Sequence, residues 1–189
     1  MRLVDVPFLL AVEQSYMVKG RGTVVTGKVE QGIVKIEDAL ELVGKDIKST
    51  FCMGLEMFHK SMDIAEFGDN VGVLLKAIRK EDARRGFVLA APGYIRSHKS
   101  FMAKVYVLSG EEGGRKKPFV TNFKPQFFFR TANVTGTIIL PDEIAVVMPG
   151  DSLTLKVELL DFLPLNIGLR FVMRESHSTI GAGVITELF

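Results

Sequence analysis

The sequence predicts an all-β protein built as two consecutive antiparallel β-barrels. Three observations predict it. Apolar residues recur with a period of two, not 3.6, over most of the chain. Gly, Pro, Asp and Asn punctuate the runs. Helical candidates are few and short. Short strands between turn signals suit sandwiches or barrels, and barrels leave no exposed edges.

The elements follow in chain order. "GRGTVVTGKV" (20–29) nearly matches a phosphate-binding loop, with Gly22, Gly27 and Lys28 in place and Val29 where a hydroxyl belongs. The four intervening residues, Thr23 to Thr26, are β-branched and stiff. "EQGIVKI" then brings a turn and another strand, where a phosphate site needs a helix. Residues 22–30 are therefore predicted as a strand, with Gly20, Gly22 and Gly27 at tight bends or close approaches. No Asn-Lys-x-Asp motif reads guanine, so this chain is not expected to hydrolyse nucleotide.

Further strands are predicted at 40–43, 50–58, 71–75, 103–108, 135–140 and 153–160. In "TFCMGLEMF", alternation places Phe51, Met53, Leu55 and Met57 on a core face and Cys52, Gly54, Glu56 and Phe58 opposite. "DIAEFGD" (63–69) and "KEDARRG" (80–86) are predicted as helical turns ended by Gly. "APGYIRSHKS" (91–100) is a polar, basic boundary with Pro-Gly turn chemistry. It separates two domains, roughly 8–92 and 98–189. Of the run Phe127–Phe129 at least one ring must be buried, and packing is favoured over base stacking. The eight methionines are expected as core filler.

Composition narrows the function classes. The chain has 189 residues, 47% apolar and 24% charged, enough for one large or two small domains. No apolar run reaches the roughly 20 residues of a membrane helix, and no targeting segment or membrane partner is expected. A lone Cys52 forms no internal disulfide and favours a reducing compartment. With only His59, His98 and His177 beside it, no metal cluster is expected. A formal charge of +2 does not argue for nucleic acid by itself.

Several motifs together resemble translation elongation factor Tu. They are "GRGTVVTGKVEQG", "LEMFHK" (55–60), "GDNVGVLLK" (68–76), "RRGFVLAAPG" (84–93), "EEGGRKKPF" (111–119), "PQFFFRTANVTGTI" (125–138), "VMPGD" (147–151) and "STIGAGVI" (178–185). The resemblance covers that family's second and third domains, assigning 1–93 and 94–189 to one barrel each. Its N-terminal GTPase domain has no counterpart here. The resemblance implies the tRNA-binding part of a protein that carries aminoacyl-tRNA to the ribosome. GTP and magnesium would be cofactors of the full-length family member, with none in this chain. Elongation factor Ts would be its exchange partner. "EMFHKS", "DARRG" and "KKPFV" resemble the mitochondrial branch, which implies the matrix, with bacterial cytoplasm as the alternative. A GTPase-less protein reusing the barrels as a structural or interaction subunit is the competing expectation.

The resemblance also implies site residues. Glu13, Gln14, Tyr16 and Thr26 fall at the pocket for the aminoacyl end, with Glu56, Phe58 and His59 as a second wall and Asn70 contacting the aminoacyl end through its backbone. On their own, Glu13 reads as a solvated charge, Tyr16 as a core or rim aromatic, and "GDNVG" as a turn. Arg85 falls where the family touches the 5′ end of the acceptor stem; alone it reads as a solvated arginine. Arg115, Lys116, Lys124, Gln126 and Thr135 match the T-stem surface, where cations and hydroxyls suit phosphate and 2′-OH contacts. The chain departs from the family at Gln14 (usually Asp), Tyr16 (usually Phe) and Ser176-His177-Ser178 (often Gly-Gly-Arg). Asp161 adds a negative charge near the expected RNA surface. No catalytic or metal-binding residue is expected, because carriage is binding.

Overall fold

A computed structural model describes residues 2–189. The chain divides into two compact units, through Ser97 and from His98. Strands pair antiparallel throughout both.

The first unit contains β1 (Leu9–Ala11), β2 (Gln14–Val18), β3 (Gly22–Gln31), β4 (Ile33–Lys35), β5 (Ala39–Val43), β6 (Ile47–Met57), β7 (Lys60–Met62), β8 (Ile64–Glu66), β9 (Asn70–Leu75) and β10 (Val88–Ala90). Six of them close a barrel in the order β1-β10-β5-β6-β9-β3, with β3 returning to β1. β2 extends the sheet beyond β3, β7 pairs with the far end of β6, and β4–β8 form a separate ribbon. Leu10, Val25, Val29, Leu42, Cys52, Leu55, Val73 and Leu75 fill the core.

The near-match to a phosphate loop is the middle of β3. Gly27 is there because β1 crosses it closely. A Cβ at Gly27 would sit 2.1 Å from the Ala11 carbonyl oxygen and 2.9 Å from Leu10 Cδ2. The glycine serves strand-on-strand approach.

Two local expectations fail in this unit. Phe51 and Met53 are exposed, and Cys52 is fully buried. The cause is a register shift on β6 between Cys52 and Gly54, opposite consecutive residues Leu75 and Leu74 of β9. Met53 is the extra residue of this β-bulge, so Cys52 and Leu55 both face inward. The segment 63–69 is β8 and a turn, not helical. Ala65 is buried against β4 while Ile64 and Glu66 stay out, and Asp69 Oδ2 accepts from Glu66 N at 2.9 Å. In 80–86 helical structure is limited to one 3₁₀ turn, Lys80–Asp82.

The second unit contains β11 (Arg96–Val107, which begins before the division), β12 (Gln126–Phe129), β13 (Ala132–Ile139), β14 (Ser152–Leu165), β15 (Arg170–Glu175) and β16 (Ser178–Leu188). They close a barrel in the order β11-β14-β13-β12-β15-β16. Phe101, Phe127, Phe129 and Phe171 form its aromatic centre, with Phe101 meeting Phe129 edge-on at 5.7 Å. The Phe run therefore splits as alternation requires, Phe127 and Phe129 inward and Phe128 outward. Met173 is core filler, but Met17, Met53 and Met148 are about half or more exposed, contrary to expectation.

Candidate nucleic-acid interface

Strand register brings most of the first candidate set onto one face. Gln14 lies opposite Thr26, Thr26 opposite Gly72, Gly72 opposite Glu56, and Glu56 opposite Ser61. These five residues form one row across β2, β3, β9, β6 and β7. The next row on the same face is Tyr16, Val24, Leu74 and Gly54. Asn70 opens β9 opposite Lys28, two residues along from Gly72 and on the same face. Glu13 sits just before β2, tied by its N–H to the Thr26 carbonyl at 2.8 Å.

The Tyr16 hydroxyl donates to Glu56 Oε1 at 2.7 Å. That bond, then burial and the carboxylate's charge, raise the phenol's pKa. Gly72 leaves the space for it: a Cβ there would come within 3.1 Å of Val24 and 3.2 Å of Glu56 Cγ. Beside this pair lies a pocket of about 210 Å³, lined by Val18, Val24, Gly54, Glu56, Gly72 and Leu74, among others. It is below the roughly 300–1,000 Å³ of drug-sized sites, with a polar edge at Glu56. Arg21 and Asp63 add one charge of each sign to its lining.

The sequence reading missed Val18, Val24 and Leu74. Their signal was alternation alone: each shares a strand face with a residue already singled out.

Phe58 and His59 do not join this sheet face. They are the two loop residues of the β6–β7 hairpin, between paired Met57 and Lys60. Both have positive φ, 53° and 62°, and Phe58 is 83% exposed. A two-residue hairpin with both φ positive is the type I′ turn, normally occupied by Asn-Gly. A phenylalanine and a histidine hold that geometry at a cost.

Arg85 is exposed, in the stretch between the 3₁₀ turn and β10, with no partner for its guanidinium among the described residues. Its neighbour Arg84 is used locally, donating from Nε to the Glu81 carbonyl at 3.3 Å.

The second unit's candidates divide into two groups. Gln126 lies opposite Thr135, and Lys124 and Thr135 line a groove with Lys99 and Thr137. Lys124 and Gln126 are exposed and Thr135 is half-buried. Arg115 is committed inside the unit. Its guanidinium pairs with Glu175, donates to the Lys117 and Pro118 carbonyls at 3.1 and 3.2 Å, and lies 4.7 Å from the Phe123 ring centre. Lys116 is exposed beside it and shares a groove with Ser176 and Ser178. Ser176 sits at φ 56° in the β15–β16 turn, a conformation that favours the glycine often found in the resembling family.

Two family models match this chain. Elongation factor Tu domain 2 matches residues 22–90, and the elongation factor Tu C-terminal domain matches 94–189, more than half of the 189 residues. The first match lies within the first unit and the second covers the whole of the second unit, beginning four residues before it, and the chain belongs to the elongation factor Tu family.

Proposed function

We propose that this chain is the tRNA-binding part of a translation elongation factor Tu, engaging the aminoacylated 3′ end of tRNA with its first barrel. The single observation that carries this reading is the row Gln14–Thr26–Gly72–Glu56 with the Tyr16–Glu56 bond and its adjoining pocket. A carboxylate fixed by a phenol beside a pocket of mixed apolar and polar lining suits a nucleoside: the ring enters the pocket and a ribose hydroxyl donates to Glu56. Lys124, Gln126 and Thr135 in the second barrel supply cationic and polar groups for a stem backbone. Delivery to the ribosome and response to GTP belong to the complete factor, with a GTPase domain, magnesium and elongation factor Ts. The mitochondrial matrix is the proposed location.

The test is protection of the aminoacyl ester. Aminoacyl-tRNA is incubated with the 189-residue chain, with and without GTP, and ester hydrolysis is followed. Weak protection, unchanged by GTP and lost in Glu56→Ala, is expected. Equal binding of aminoacylated and uncharged tRNA, with no protection, overturns the reading.

One observation favours a second reading, a two-barrel subunit that works without a GTPase domain. Arg115 is spent on Glu175, Phe123 and two carbonyls rather than free for RNA. The intact mass of the endogenous protein separates the two. A mass well above 20.9 kDa, with GTPase-domain peptides, supports the carrier; a mass near 20.9 kDa supports the subunit.

A further inference from the structure

β2 is the edge of its sheet, pairing only with β3 among the described residues. Gln14 and Tyr16 point to the site face, so Ser15 between them points the other way. Ser15 is half-buried, and its hydroxyl meets the backbone of the segment before β10. It lies 2.7 Å from the Ala83 carbonyl oxygen and 3.3 Å from that of Lys80. With one proton to give, it donates chiefly to Ala83. Ala83 caps the end of the 3₁₀ turn, where backbone acceptors lack helical partners, whereas the Lys80 carbonyl at its start already accepts from the Ala83 N–H at 3.2 Å.

The next tie goes to the same segment. Gly86 N–H donates to the Val12 carbonyl at 3.2 Å, and Val12 N–H donates to the Phe87 carbonyl at 2.9 Å. Arg84 and Arg85 sit between the two ties, Ala83–Ser15 and Gly86–Val12. The strap is anchored further back by Thr23 Oγ1 on the Ile78 carbonyl at 2.6 Å and by Asp82, which bridges Arg79 and Lys48. Residues 12–16 therefore carry Gln14 and Tyr16 on one side and hold the Arg85 loop on the other.

We propose that Ser15 is a positioning residue: its bond to Ala83 sets the span between the site face of β2 and the Arg85 guanidinium. One RNA is then engaged at two points at once, its aminoacyl end on the sheet face and a stem phosphate at Arg85. This rests on the function proposed above. Without the hydroxyl, the loop keeps its Gly86 tie and the Asp82–Lys48 pair but loses the tie nearest to Arg84–Arg85 on their N-terminal side. Arg85 then samples many positions, and its phosphate contact no longer adds to that of the sheet face.

The test uses the 189-residue chain and an acceptor-stem hairpin RNA aminoacylated at its 3′ end, made with a 5′-phosphate or a 5′-hydroxyl. Affinities are measured for wild type, Ser15→Ala, Ser15→Thr, Arg85→Ala and the Ser15→Ala/Arg85→Ala double variant. Wild type is expected to favour the 5′-phosphate by about fivefold, the scale of one exposed ionic contact. Arg85→Ala abolishes that preference, and so does Ser15→Ala with Arg85 intact. Ser15→Thr restores it, and the double variant binds no worse than Arg85→Ala alone. Affinity for the 5′-hydroxyl RNA stays near wild type in Ser15→Ala, which a general loss of structure would not allow. If Ser15→Ala fails to fold, Ser15→Cys takes its place, with a weak donor of similar shape. A phosphate preference that persists in the variant lacking the hydroxyl overturns the inference and leaves the function standing. A wild type that shows no phosphate preference also overturns it. A wild type that binds neither RNA removes the function and the inference together.

Discussion

The phenol of Tyr16 reaches across β3 and β9 to donate to Glu56 Oε1 at 2.7 Å, joining strands that are not neighbours in the sheet. The bond lies over Gly72, whose missing side chain makes room for it. It fixes Glu56, which borders the pocket along with Asp63.

Tyr16→Phe should therefore leave the fold nearly unchanged, costing at most about 1 kcal/mol for a half-exposed bond. It should weaken aminoacyl-end protection by freeing Glu56. The pH dependence has a definite sign. The folded phenol pKa is raised, so the bond contributes fully below the unfolded value near 10 and is lost as pH rises through the folded value. Ultraviolet titration of the tyrosines should show one transition falling back towards 10 in Glu56→Gln. An unchanged titration curve would count against the bond.

Replacing Phe58-His59 by Asn-Gly should stabilise the protein by about 1 kcal/mol, since both positions have positive φ. For a domain of this size that is about 5 °C in Tm. Protection of the aminoacyl ester should fall at the same time if the exposed Phe58 ring contacts the ligand. Calorimetry and the protection assay on the same variant separate stability from binding.

Arg115→Ala should lower the stability of the second barrel by about 2 kcal/mol, because it removes the Glu175 pair, the Phe123 contact and two carbonyl bonds. Lys124→Ala, which removes an exposed cation, should leave Tm unchanged and reduce RNA binding with a shallower salt dependence. Urea melts and binding at two salt concentrations would show the contrast. Equal effects of the two variants on Tm would contradict it.

The Arg79 side-chain bond, with the Lys48 bond next, holds the Asp82 carboxyl down to about 2. A depressed carboxyl contributes above its unfolded value near 4 and loses that contribution as pH falls through the folded value. The 79–86 strap should therefore loosen between about pH 4 and pH 2. Amide exchange in this segment, compared between wild type and Asp82→Asn, should differ above that window and converge within it.

Cys52 is fully buried, and burial pushes its thiol up to about 11. It should resist iodoacetamide at pH 8 in the folded protein and react when urea opens the first barrel. Rapid alkylation without denaturant would place Cys52 on the outer face, where plain alternation puts it.

Much of the fold was legible because alternation and turn residues are local. The β-branched run Thr23–Thr26 declared a strand against the glycine pattern around it. Phe127 and Phe129 turned inward because consecutive strand residues must diverge. Alternation failed at Met53, where one extra residue reverses the faces of β6. The pairing of β6 with β9 decides that bulge, and nothing in "TFCMGLEMF" marks it. The 63–69 segment misled for a related reason: the strand partner of its Ala65 is Val34 of β4, 31 residues earlier in the chain.

The candidate site divides the same way. Residue types and spacing, with the family resemblance they carried, were enough to single out Glu13, Gln14, Tyr16, Thr26, Glu56 and Asn70. Only the barrel's register aligned Gln14, Thr26 and Glu56 in one row, with Gly72 between Thr26 and Glu56, and placed Val18, Val24 and Leu74 beside them. Only side-chain geometry showed Arg115 committed, Arg85 without a partner among the described residues, and Ser15 holding the loop that carries Arg85. The sequence by itself determined the strands and their composition, since those follow from each residue's own propensity and its immediate neighbours. The tertiary structure decided which side chains meet, because contacts such as Tyr16–Glu56 and Ser15–Ala83 join residues 40 and 68 positions apart. Their distance is set by sheet closure, which no local pattern encodes.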